Sequence, residues 1–146
     1  MALERRIAVA LLALGCVGLG VLAAAQAGQT YKARLTAVAA DARTRPALAG
    51  SGSASAVLNG SQLSINGSFD GLLSPATSAE LRSGVAAGVR GSLVSDLTIS
   101  KADSGTITGS VDLTAPQLES LHKGGFYIEI HSEKAPDGVL WGWLLK

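Results

Sequence analysis

The sequence predicts an all-β domain, a sandwich or a barrel, interrupted by one short helix near residues 115–123. Short apolar stretches alternate with Gly, Ser, Asn and Asp about every 8–12 residues, the spacing of such folds. The length of 146 residues suits one domain. Composition points the same way: with aromatics at 4%, charged residues at 16% and 18 glycines, neither a coiled coil nor a disordered acidic tail fits.

The first segment lies outside that domain. Arg5 and Arg6 precede an uncharged run from Ile7 to Ala25, and Ala25-Gln26-Ala27 supplies small residues at a cleavage position. This is the organisation of a secretory signal. The run is also just long enough to span a bilayer, so an uncleaved anchor is the alternative. The division expected is residues 1–27 as signal peptide or N-terminal anchor and residues 28–146 as the folded domain, periplasmic or secreted. Cys16, the only cysteine, sits inside the run behind Ala13-Leu14-Gly15, an imperfect lipobox, so cleavage leaves no thiol, disulfide or Cys metal ligand.

Lys and Arg number 12 and Asp and Glu 11; a segment ending at Ala27 removes Arg5, Arg6 and Glu4 and leaves the remainder balanced. With no basic block either, a nucleic-acid partner is excluded as an expectation.

Ser53–Leu58 and Ser61–Phe69 flank Asn59-Gly60. Asn-Gly between extended runs is the strongest short-range hairpin signal, with a type I′ turn expected because its central residues need positive φ. Leu63 and Ile65 share one face of the second run. Ser92–Ser100, Thr106–Leu113, Gly125–Ser132 and Val139–Leu145 are further strand-length stretches. Between them, Thr114-Ala115-Pro116-Gln117 has the pattern of a capping box with Pro early in the first turn. Gly124-Gly125 ends that helix, and His122 and Lys123 suit the negative end of its dipole.

The last hairpin turns at Pro136-Asp137-Gly138. In its first strand Phe126, Ile128 and Ile130 alternate with Tyr127, Glu129 and His131, and the apolar trio is expected to face the core. In its second, Val139, Trp141, Trp143 and Leu145 share one face, and Leu140, Gly142 and Leu144 the other. Both faces are apolar, and the pattern does not choose between them.

Ser74-Pro75-Ala76-Thr77 with the short strand after it, Gly88-Val89-Arg90-Gly91, Gly105-Thr106-Ile107-Thr108-Gly109, the capped helix at 113–121, Tyr127–Ser132 and Pro136–Gly142 together resemble the CHRD domain, the module named for chordin and widespread in bacterial exported proteins. The similarity runs from about Tyr31 to Leu145. It implies a single antiparallel Greek-key β-sandwich, and a module whose activity in bacterial members is undefined; fold alone does not transfer function.

Two departures from the family pattern matter. Members commonly carry a His-x-His pair after the Ser-Pro-Ala-Thr segment, where this chain has Ala79-Glu80-Leu81-Arg82. Two such histidines on a strand point the same way and can share a metal. Here His131 is the one strand histidine left, and a copper or zinc site built from it with Glu129 and Glu133 is the alternative functional reading. The second departure is that the family's usually polar positions are occupied by Trp141 and Trp143. On that pattern both tryptophans face outward beside Tyr127 and His131, and these four residues form the expected contact surface. The competing expectation is that residues 28–50 fold over the tryptophans.

No nucleophile elbow, phosphate loop or His-Glu-x-x-His motif is present. Asn59-Gly60-Ser61 and Asn66-Gly67-Ser68 are formal glycosylation sequons, the first already used as turn chemistry. The expected function is therefore binding, with no catalytic residues and no cofactor. The expected partner is another exported protein, a cell-envelope polymer or a second copy of the chain. Membrane contact is expected only through an uncleaved N-terminal segment, which would suit a purely structural envelope protein.

Overall fold

The computed structural model describes residues 28–146, and the expected export segment lies outside the described residues. Eight strands and one helix follow each other in the order β1 (Gln29–Ala37), β2 (Ser51–Asn59), β3 (Gln62–Asp70), β4 (Ala76–Ser83), β5 (Ser92–Ile99), β6 (Gly105–Asp112), α1 (Ala115–His122), β7 (Phe126–Ser132) and β8 (Leu140–Trp143). All strand pairs are antiparallel, and the sheet closes as β1-β2-β3-β6-β5-β4-β7-β8.

The all-β reading and the short helix hold, but the sandwich gives way to a closed barrel. The physical reason lies at two corners. β1 reaches β8 through Thr36/Trp141 and Ala37/Leu140, while β5 reaches β6 through Thr98/Thr108 and Ile99/Ile107. These two short seams join what would otherwise be two facing sheets, and they remove the free edges that an open sheet would expose. Sheet order departs from chain order where β4, β5 and β6 fold back to set β6 beside β3, the return that a Greek key makes.

Period-two patterning places the core. Tyr31, Ala33 and Leu35 of β1 point inward between exposed Lys32 and Arg34, an alternation the sequence carries in full. Leu63, Ile65, Leu81, Ile107, Ile128 and Ile130 join them from β3, β4, β6 and β7, all essentially without solvent exposure. The ambiguity of β8 is resolved: Leu140 and Leu144 are fully buried in this core with Gly142 between them.

The first hairpin forms one residue later than the Asn-Gly reading. Asn59 pairs with Gln62, so Gly60 and Ser61 are the central residues. Among the described residues only glycines adopt positive φ, Gly60 at 62°, which gives the sign pattern of a type II′ turn rather than type I′. The capping box at α1 is complete, with Thr114 Oγ1 accepting from the Gln117 amide and Gln117 Oε1 accepting from the Thr114 amide.

Candidate functional site

β7 is buried on both faces, which is unusual for a barrel strand whose outer side meets water. Phe126, Ile128 and Ile130 fill the interior, while Tyr127 and Glu129 point outward and are still covered, at 0% and 1% exposure. Strand register explains what covers them. Glu129 lies opposite Glu80 on β4 and Trp141 on β8, and Tyr127 lies opposite Arg82 and Trp143. Residues directly opposite in an antiparallel pair share a face, so these side chains form a second small layer on the outer wall.

Its aromatic half is a continuous stack. The rings of Tyr127 and Trp143 lie 5.0 Å apart and those of Trp141 and Trp143 4.9 Å apart, edge to face. Of residues 28–50, residues 29–37 are spent on strand β1, which lies beside β8 in the sheet with Thr36 opposite Trp141. Partial cover comes instead from the β4–β5 connection. Arg90 sits 4.7 Å above the Trp141 ring, and the Gly91 amide donates to the Tyr127 hydroxyl at 2.9 Å. Both tryptophans remain part-exposed, and the Trp143 indole N–H is buried without a hydrogen-bond partner among the described residues.

Its charged half is built around Glu129. Arg90 Nη1 lies 2.7 Å from Glu129 Oε1, and Arg82 Nε 3.4 Å from Glu129 Oε2. Arg82 Nε also donates to Glu80 Oε2 at 2.7 Å, and that hydrogen bond raises the Arg82 pKa above its ordinary value. The carboxylates of Glu80 and Glu129 are thus matched by two guanidiniums, and a buried carboxylate is tolerated because it is paired.

His131 completes the cluster. Its Nδ1 is 2.8 Å from the Pro136 carbonyl, which can only accept, so Nδ1 carries the proton. Nε2 is buried 3.5 Å from Glu80 Oε2 and makes no hydrogen bond. His131, Glu80 and Glu129 each offer a metal-ligand atom within 4.8 Å of the others. Glu133, expected in that set, is exposed and takes no part in it; Glu80 stands in its place. Sequence reasoning missed Glu80, Arg82 and Arg90, since only the β4–β7 register and the path of the 84–91 connection bring them to the wall.

Comparison with known families finds the model of the CHRD domain matching residues 31–144. Curated proteins and solved structures give no match.

Proposed function

The chain belongs to the CHRD domain family, and from that premise we propose that it is an exported, non-catalytic binding module. Its contact surface is the outer wall of β4, β7 and β8, with Trp141 and Trp143 as anchors, His131 beside them, and Tyr127, fully buried rather than exposed, as their support from beneath. The observation that carries this reading is the part-exposed Trp141–Trp143 pair, held in place from below by Tyr127 and from above by Arg90. Rigid Trp, Tyr and Arg side chains supply contact area with little entropy left to lose, which is why they dominate binding hot spots. Val85 and Val89, exposed at 82% and 43%, lie on the same β4–β5 connection as Arg90.

Catalysis has little support. His131 has Nδ1 tied to a backbone carbonyl and Nε2 turned toward Glu80, not toward a serine or threonine hydroxyl. The partner proposed is another exported protein or an envelope polymer, met in the periplasm or outside the cell. The apolar run of residues 7–25 supports export.

In-cell cross-linking of the native chain beside a Trp141→Ser/Trp143→Ser variant tests the proposal, with circular dichroism establishing that both fold. The expected result is a partner captured by the native chain and lost in the variant. Equal capture by both, or none by either, overturns the wall as the contact surface.

A second reading, copper or zinc binding through His131, is favoured by one observation. A histidine whose Nδ1–H is fixed on a carbonyl and whose Nε2 is buried, unpaired and near two carboxylates has the arrangement of a metal ligand. Arg82 and Arg90 oppose it, because a cation entering the cluster must displace them from Glu80 and Glu129. Titration with copper or zinc measures this directly. The reading requires one equivalent bound by the native chain and none by His131→Ala; a native chain that takes up no metal removes it.

A further inference from the structure

A separate cavity of about 200 Å³ lies between the β1–β2 connection, the β7–β8 turn and Arg90. Its walls are apolar where Val38, Leu48 and Ala135 contribute, and cationic where Arg43, Arg90 and Lys134 do; Asp137 is the one carboxylate that lines it. The acidic residue nearest in sequence to Arg43 is already occupied. Asp41 accepts the amides of Thr44 and Arg43, and these hydrogen bonds hold its carboxyl below the usual range. Among the described residues, Arg43 and Lys134 make no ion pair.

Arg90 is the fixed point of the cavity. One side of its guanidinium is pinned on buried Glu129 and it rests on the Trp141 ring, yet among the described residues only Nη1 is engaged in a hydrogen bond. A guanidinium anchored from behind with donors to spare is pre-organised for a planar anion. The volume is below the roughly 300–1,000 Å³ of drug-sized pockets, so the occupant is small. Excess positive charge over an apolar floor selects one chemistry.

We infer that this cavity binds a small organic carboxylate with a short apolar body, its carboxylate toward Arg90, Arg43 and Lys134 and its body against Val38 and Leu48. The inference goes beyond the wall's partner and does not depend on it.

The probes are butyrate, butanamide as the same body without charge, and inorganic phosphate as charge without the body. Amide chemical shifts of Ala47, Leu48 and Gly138 are followed on the full folded domain. Butyrate is expected to give saturable shifts with a dissociation constant on the order of 1 mM, as befits so few atoms. Butanamide and phosphate are expected to bind about tenfold more weakly or not at all. Arg43→Glu and Lys134→Glu, both on exposed residues, are expected to weaken butyrate roughly tenfold each without moving the thermal midpoint. Three results overturn the proposal: no saturable shift with butyrate, equal binding of butyrate and butanamide, or undiminished butyrate binding in both the Arg43→Glu and the Lys134→Glu variant. Phosphate matching butyrate overturns the ligand class, since the apolar floor then contributes nothing.

Discussion

Replacing Glu129 by alanine is expected to lower the unfolding free energy by about 3 kcal/mol, a fall of roughly 10–15 °C in thermal midpoint for a domain of this size. The residue is 1% exposed and is the common partner of Arg82 and Arg90. Its loss strips two guanidiniums of a carboxylate and opens a gap between Gly138 and the wall, since Glu129 Oε1 packs 2.6 Å from where a Cβ on Gly138 would lie. Breaking a buried pair usually costs about 3–5 kcal/mol. The lower end applies because Arg90 is half exposed and can rehydrate. Glu129→Gln keeps shape and hydrogen-bond acceptance and is expected to fall between native and alanine variants. Glu133→Ala, on an exposed neighbour, is expected to stay within about 0.5 kcal/mol. Denaturant unfolding of the three variants measures the series. A Glu129→Ala protein as stable as Glu133→Ala would show that the charged cluster is not structural.

The same substitution connects stability to binding. Arg90 is placed over Trp141 by its bond to Glu129, so the alanine variant is expected to change tryptophan fluorescence in the folded state as well as lower stability. The candidate wall and the neighbouring cavity share Arg90. One buried carboxylate therefore orients a donor used on two surfaces.

How much of this was legible beforehand differs between fold and site. Local chemistry was readable wherever a residue acts on its own neighbours. The capping box at Thr114/Gln117 and the inward alternation of Leu63 and Ile65 follow from spacing alone. The β1 alternation of Tyr31, Ala33 and Leu35 with Lys32 and Arg34 is equally local. The hairpin turn shifted by one residue because strand pairing, not the Asn-Gly dipeptide, fixed the register at Asn59/Gln62. Closure into a barrel depends on seams of two residue pairs each, which no local pattern encodes. The site is less legible still. Glu80 meets Glu129 only through the β4–β7 register, and Arg90 arrives from a connection rather than from a strand. Paired charges far apart in the chain leave no periodic trace.

One residue of the closing seam did carry a readable signal, and it supports the second large prediction. Gly142 lies between Leu140 and Leu144 in β8, and a glycine inside a strand often marks close approach of another backbone. Its φ is not positive, so conformational freedom is not the reason for it. A Cβ there would clash with the Arg34 carbonyl oxygen and lie 2.9 Å from the Arg34 carbonyl carbon, both backbone atoms of β1. Backbone cannot step aside as a flexible side chain can, and here it belongs to a seam of two residue pairs supplemented by Lys32–Leu145 bonds of 2.7 and 2.9 Å. Gly142→Ala is therefore expected to cost about 2–3 kcal/mol, and Gly142→Val more. Gly60→Ala is the comparison: nothing lies within 4 Å of that position, so its cost is the positive φ alone, about 1 kcal/mol. Amide exchange separates the two mechanisms. In Gly142→Ala the amides of Lys32, Val38 and Leu145, which bridge β1 to the end of the chain, are expected to lose protection first, before the β2–β3 ladder. Uniform loss of protection would mean that the seam opens only with the whole barrel. Selective loss would identify β1/β8 as the weak edge through which the fold first exposes strand to solvent.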